Sequence, residues 1–586
     1  MTIIDFLEDR ANKNADELAF RFMANGELDG PITEWTFSEL YLQSSGVAKD
    51  LLEKGLLDSN VLLAFPPGLD FVKAFYGCLL AGVRAVPVPL PNPNAKNPFA
   101  RIINTAKICD ASTVLTNQQL AAMVSKTEES RLPVSLQAVT DNIAAEWNNP
   151  GIEMNSIAYL QFTSGSTGRP KGVAVSHLNA VSNLRVMGQM LRIKSTKPAI
   201  VWAPHYHDLC LVGHVLGPVY YGFESTLMSS MDFLLKPVRW LRAMSQYKIA
   251  NTACPNFGYE YSTRRINPQD CKGLDLSHWE IAGNGGEPVL RQTMETFIKK
   301  FSPYGFRPQT FMPTYGMAES VLFVAGLKSM SQSPKVLSLS TQELEKHNVH
   351  ILADNVPDSR TVISCGSPGA GHQVIAVDPV TLTKSNPDQI GELWVQGPSV
   401  PNGYWKQPEE SQKTFGGYLT DTNEGPFLRT GDLGFVADDE IYVTGRLKEL
   451  IIIAGRNHYP SDIELTVQQS GAPVRLGACV AISENINGVE ELVIIAETDD
   501  RQFPAKDELF KNAEAQSLNE FWTSAVRAVK GSVSEKHGLS VRSIVFVKPR
   551  SLEKTSSGKL RRNYYQKLFL KGELAVLHEN PSPMTN

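Results

Sequence analysis

The sequence predicts an α/β fold. A large N-terminal domain of several subdomains, with mostly parallel sheets flanked by helices, precedes a smaller, mobile α+β C-terminal domain. Three observations lead there. Short apolar runs alternate with amphipathic helical stretches as far as about Gly391, the pattern of parallel strands joined by crossover helices. Three of the apparent strands run into small or polar stretches (PHYHDLCLVG, GNGGEP and TYGMAES), as where open α/β sheets bind ligands beyond their carboxyl ends. Beyond Gly391 the texture becomes short strands and turns, and at 586 residues the chain is too long for one ordinary core.

In order along the chain, Ile3 to Ala15 and Phe37 to Lys54 read as amphipathic helices. Val61–Phe65 is a strand, Pro66-Pro67-Gly68 a turn, and Leu69 to Ala81 a helix whose apolar stripe is core. Val83 to Val88, Ser112–Leu115 and Ile157–Phe162 are further strands, with a helix at Ile102–Cys109. Then come strands at Ala199–Ala203, Ile249–Cys254, Trp279–Ala282 and Gln309–Pro313, with the helix VRWLRAMSQY from Val238. The C-terminal part carries strands at Cys479–Ser483, Leu492–Glu497 and Val541–Val547, and a helix over Leu518 to Val529. The polar end, HENPSPMTN, reads as a frayed tail.

The most informative stretch is Thr163 to Gly172, TSGSTGRPKG. Glycines let a loop bring its backbone N–H groups to a ligand, and hydroxyls add donors. With Arg169 and Lys171 to offset charge, such a loop suits phosphate oxygens. It is not a Walker A loop, because Lys171 is followed by Gly172 where Ser or Thr is required. A plain surface turn is the bland alternative. The stretch resembles the phosphate loop of the adenylate-forming superfamily of acyl-CoA synthetases, luciferases, adenylation domains and fatty acyl-AMP ligases.

That resemblance extends to Arg562 through five further motifs in the superfamily's order. It implies that Thr163, Ser164, Gly165, Ser166, Thr167, Gly168 and Lys171 hold the phosphates of ATP. It implies that Gly285, Gly286 and Glu287 of GNGGEP pass along the adenine, and that Tyr315 of TYGMAES stacks on it beside Gly316. Glu319, with Thr163, would hold Mg²⁺. Asp432 of RTGDLG would bind both ribose hydroxyls, with Arg446 a second ribose or phosphate contact. Lys559 of SSGKLRR would be the catalytic lysine, and Lys448 the hinge about which the small domain turns. The division implied is 1–447 for the large domain and 448–586 for the small one.

HDLCL, with His207, resembles a motif of long-chain fatty acyl-AMP ligases and implies a gate to an acyl channel. The stretch TLMSSMDFLLKPVRWL and the aromatics of PNFGYEY suit an alkyl chain, though most of these residues would serve equally as core. Leu327 to Asp354 resembles the insertion that separates fatty acyl-AMP ligases from acyl-CoA ligases, and its mixed apolar and polar pattern predicts a small structured element.

The resemblance thus implies a fatty acyl-AMP ligase using ATP and Mg²⁺. It would form an acyl adenylate for the phosphopantetheine thiol of an acyl carrier protein or polyketide synthase carrier domain. A fatty acyl-CoA synthetase is the nearer alternative and a catalytically silent nucleotide-binding scaffold the remoter one. Composition agrees with these limits. A net charge of −5 gives no global attraction to nucleic acid. Seven unpaired cysteines, no signal-like start and no apolar run long enough to span a bilayer predict a cytoplasmic protein without a transmembrane segment.

Overall fold

The computed structural model describes residues 1–91, 97–125, 134–143, 147–163, 170–327, 333–354, 356–486, 489–499, 515–554 and 560–581. Among these, the chain builds two large, mostly parallel sheets and several smaller ones. The first runs in the order 367–368, 325–326, 311–315, 281–284, 251–254, 199–201, 225–228, 18–23, 32–36. Its central strands are parallel, from Phe311–Tyr315 across to Leu18–Met23. The second runs 135–138, 113–116, 60–63, 84–87, 157–163, 171–176. Helices cover both, and the helix Leu69–Leu80 is buried along nearly its whole length, as its apolar stripe requires.

One strand escapes the sequence reading. Lys171–Ser176 pairs antiparallel with Ile157–Thr163, so the glycine-rich stretch joins two strands of a hairpin and does not lead straight into a helix. Ser176 then ends the strand and caps the helix His177–Leu191, its hydroxyl accepting from the Asn179 N–H. A phosphate held there would be bound without a following helix dipole.

The aromatic stretch also resolves. Met228, Phe233, Val238, Trp240 and Leu241 belong to a buried core, with Trp202 and Phe233 stacked at 3.9 Å and Trp240 edge-on to Trp279 at 5.4 Å. They are core, not channel. PNFGYEY forms the start of the helix Asn256–Arg265, whose Tyr259 joins the same cluster.

Between residues 336 and 363 the chain makes a three-stranded antiparallel sheet, Val336–Ser340 between Ile351–Leu352 and Ser359–Ile363. The expected structured element is therefore present and reaches beyond Asp354. Leu339, Leu344 and Val362 pack against Leu433, Phe435, Tyr442 and Tyr459. A four-stranded antiparallel sheet, 373–377, 391–396, 428–437 and 440–446, leads to the C-terminal part.

That part holds a mixed sheet ordered 474–486, 489–498, 541–547, 576–581, covered by the helix Ala515–His537. The frayed-tail expectation fails for residues 578–581, and residues 582–586 lie outside the described residues. Val576–Pro581 adds an edge strand to Val541–Val547, and the His578 ring stacks on Trp522 at 4.9 Å. Backbone pairing, not apolar content, holds this polar segment.

Phe233→Ala should cost about 3–5 kcal/mol, because it empties a fully buried aromatic site. Denaturant unfolding measures it, and a loss under about 1 kcal/mol would show that Phe233 is not core.

Candidate active site

The central strands of the first sheet deliver Gly283, Gly285 and Tyr315 to one edge of a cleft of about 2030 Å³. The four-stranded sheet brings Asp432 and Arg446 to the opposite wall, and Lys554, Leu560 and Arg561 line it from the C-terminal part.

At its centre is a carboxylate. The Tyr315 hydroxyl donates to Asp432 Oδ2 at 2.8 Å, and Arg446 Nε donates to Oδ1 at 2.7 Å. Asp432 and Arg446 are register partners on neighbouring strands, so pairing of the backbones places the two side chains together. Asp432 is 6% exposed, whereas the Arg446 side chain is about half open. Burial, followed by the Asp432 charge, pushes the Tyr315 phenol well above its ordinary range and keeps it a donor. The same carboxylate raises Arg446. A carboxylate offers about four lone-pair directions, so two remain for ligand hydroxyls.

The loop bearing Asp432 is itself clamped. Glu392, 3% exposed, accepts from the Gly431 N–H at 3.0 Å, from Trp394 Nε1 at 2.9 Å and from Arg429. Thr430 Oγ1 accepts from the Asp432 N–H at 3.0 Å, and Gly431 takes a φ of +71°. Sequence reasoning missed Glu392; its one signal was a lone acidic residue in an apolar strand.

Gly285 lies against Thr314, where an added Cβ would come within 2.6 Å of Oγ1, so backbone is all that fits. At Gly316 an added Cβ would meet the Leu322 carbonyl at 1.7 Å. Gly286 and Glu287 line the same wall, and Glu287 also accepts from the Phe257 N–H. Glu319 faces the cleft, its Oε1 accepting from the Tyr404 hydroxyl at 3.0 Å. Thr163 lines the cleft at its strand end. Both present oxygen donors of the kind a hard divalent cation takes, alongside waters and phosphate. Lys171 pairs with Glu410 at 2.6 Å and lies over the Tyr404 ring, so a phosphate there must compete with that carboxylate.

His207 and Asp208 line the cleft, with His207 Nδ1 2.7 Å from Asp208 Oδ1, which also accepts from the Leu209 N–H at 2.8 Å. Lys448 is exposed on the short turn Leu447–Glu449. Ser164, Gly165, Ser166, Thr167, Gly168 and Lys559 lie outside the described residues.

From this polar end the cleft continues as a channel. Ala199, Asn251, Ala253, Ile281 and Gly283 alternate along three neighbouring strands on one face, and all line it. From Asn251 to Ala253 that face runs about 7 Å. Met187, Leu191 and Phe223 also line the cleft. Small residues on a sheet face that would otherwise be filled leave room for an alkyl chain, and sequence reasoning had looked for bulky apolar residues instead.

A further set of contacts went unread in the sequence. Arg562 donates to both oxygens of Glu464 at 2.7 Å and to Glu449 at 2.6 Å. Arg360 pairs with Asp462 at 2.9 Å, donates to the Thr444 carbonyl and lies over the Tyr459 ring.

Comparison with known proteins places this geometry. Residues 7–405 match the model of the family described as AMP-binding enzyme, and residues 448–579 match the Disco-interacting protein 2-like AMP domain. A medium-chain-fatty-acid–acyl-carrier-protein ligase, JamA, of Moorena producens is 38% identical over 98% of this chain and 96% of its own. A Mycobacterium leprae protein carrying a fatty-acid–CoA ligase name is 33% identical over 96% of each chain. The crystal structure of a Legionella pneumophila fatty acyl-adenylate ligase with acyl adenylate and pyrophosphate has a TM-score of 0.74, at 34% identity over 99% of this chain and 98% of its own. This chain belongs to the AMP-binding enzyme family, among its ATP-dependent, AMP-forming fatty acid ligases.

Proposed function

We propose that the protein joins a fatty acid to AMP, releasing pyrophosphate, and passes the acyl group to the phosphopantetheine thiol of an acyl carrier protein or polyketide synthase carrier domain. The observation that supports this most is the continuity of the cleft: an apolar channel floored by Ala199, Ala253 and Gly283 opens onto the Tyr315–Asp432–Arg446 cluster.

The reacting partners, a carboxylate and the α-phosphate, repel each other, so the enzyme's work is positioning and charge compensation. In this reading Asp432 accepts from the ribose hydroxyls while Arg446 and Tyr315 hold it in place. Gly285 and Gly286 give the adenine a wall without side chains. Glu319 and Thr163 would hold Mg²⁺, which supplies charge neutralisation at the phosphates. Lys559 would bridge carboxylate and α-phosphate as charge builds. Its neighbours Leu560 and Arg561 line the cleft, as this role requires. No covalent enzyme intermediate is needed.

The domain division at 447/448, with Lys448 as hinge, fits the placement of the C-terminal sheet after the turn Leu447–Glu449. The choice of carrier thiol over CoA rests on the element at 336–363. Arg360 grips Asp462, and the Glu345 carbonyl accepts from both Asn457 N–H groups, at 3.1 Å from the backbone and 2.9 Å from the side chain. These ties cross from the insertion to the small domain and oppose the rotation that productive CoA attack would use.

Acid-dependent exchange of labelled pyrophosphate into ATP, followed by transfer to holo-carrier or CoA in parallel, tests the whole reading. No exchange would leave the scaffold alternative, and rapid acyl-CoA formation would favour the synthetase. Lys559→Ala should keep the fold and ATP binding but slow adenylation about 10²–10³-fold; near-normal acyl-AMP formation by the variant would refute its role. Asp432→Ala should raise the KM for ATP more than it lowers kcat, because the ribose contact is similar in ground and transition states. An unchanged KM would remove Asp432 as ribose ligand. Arg360→Ala should preserve adenylation and raise the ratio of acyl-CoA to acyl-AMP severalfold. An unchanged ratio in a folded variant would place the barrier to CoA elsewhere.

A further inference from the structure

His214 is an anomaly in the channel. It is 5% exposed, lines the cleft, and sits within the π-helical turn Leu211–Leu216. Its Nδ1 is enclosed with no hydrogen-bond partner, while Nε2, also unpaired among the described residues, is not enclosed in this way and is the ring nitrogen a bound chain can reach. Burial lowers its pKa to about 3, so the ring is neutral at any ordinary assay pH and offers one donor and one acceptor. Leaving such a group unsatisfied costs stability, and native proteins rarely do so without a use. π-turns, too, occur often at functional sites.

The surroundings narrow the use. Neighbouring Gly213 adds no side chain, and Met187, Leu191 and Phe223 line the same cleft. Asn251, the polar residue on the sheet face, already donates its amide to the Lys197 carbonyl at 3.0 Å. His207 is engaged with Asp208. No metal-binding cluster occurs among the described residues, so a ligand role for the imidazole is not supported. His214 is thus a neutral hydrogen-bonding group in a cleft whose lining combines Met187, Leu191, Phe223 and Ile281 with the further polar groups Gln161 and Thr252.

We infer that the channel takes a fatty acid bearing a hydroxyl on its chain, and that His214 recognises that hydroxyl. The inference rests on the ligase reading above and sharpens its substrate class. A hydroxyl both donates and accepts, and so can pair with Nε2 in either tautomer. A site built this way rejects the analogue that leaves its polar group unpaired more strongly than an alkyl pocket rejects a methylene.

The test is a series of saturated acids of one length with the hydroxyl moved carbon by carbon, beside the unsubstituted acid, in ATP–pyrophosphate exchange. Wild type should show one position with kcat/KM at least about tenfold above the unsubstituted acid, largely independent of pH above neutrality. In His214→Leu that advantage should vanish while the unsubstituted acid is used as well or better; His214→Gln should restore part of it. If wild type shows no favoured position, or if His214→Leu keeps it, the inference is overturned. Should His214→Leu fail to fold, the wild-type series and His214→Gln decide between the same outcomes. Absence of exchange with every acid would instead overturn the ligase reading, and this inference with it.

Discussion

One buried carboxylate fixes the polar end of this molecule. Asp432 is held through its two oxygens by Tyr315 from the parallel sheet and by Arg446 from its own antiparallel sheet. Remove the charge and Tyr315 loses its acceptor, Arg446 loses its anchor, and the two walls of the cleft lose their direct polar link. The backbone around it leaves little slack. Glu392 holds the Gly431 N–H, Thr430 holds that of Asp432, and Gly316 sits where even a methyl group would strike the Leu322 carbonyl. A buried charge so paired costs desolvation that its partners only just offset, so its value lies in defined geometry more than in stability.

The same reasoning separates the C-terminal contacts. Glu464 is buried, and burial raises its pKa while Arg562 pulls it back. With Arg562 bidentate on Glu464 and bonded to Glu449, the last residue of SSGKLRR is fastened to the turn beside Lys448.

Much of this could be read from residue types and spacing. Gly-rich and acidic motifs keep their identity because the chemistry constrains the residue itself, as at Gly285, Tyr315 and Asp432. The parallel sheets were legible because strands buried on both faces are continuously apolar, as at Val61 and Leu62. What failed to show was long-range or backbone-borne. Arg360 and Asp462 are a hundred residues apart, and nothing local marks them as partners. Lys171–Ser176 and Val576–Pro581 are held by pairing with neighbours, which composition does not record. The channel was legible only in part, at Phe257 of PNFGYEY, for a related reason: a cavity is made by small residues, and Ala199, Ala253 and Gly283 carry little signal. Bulky Phe233 and Trp240 carry more, and they fill a core. His214 looked like any histidine on an apolar face.

The two sets of ionic contacts act differently once motion is considered. If the hinge is Lys448, as proposed, everything from Glu449 onward turns together. The Arg562–Glu464–Glu449 group then lies wholly inside the moving part and offers rotation no resistance, however strong it is. Among the described residues, the packing of Leu339, Leu344 and Val362 against Tyr459 crosses the hinge, and so do the polar ties of Arg360 to Asp462 and of Glu345 to Arg456 and Asn457. The polar ties are partly exposed pairs and single hydrogen bonds, of the order of 1 kcal/mol each. Their sum is a few kcal/mol, enough to keep one arrangement predominant but within reach of the binding energy of a partner protein. A latch of that size can hold against a small, free thiol and still yield to a carrier that docks on both sides of the hinge, so the choice of acyl acceptor can be set by the strength of the latch without any change at the site of chemistry.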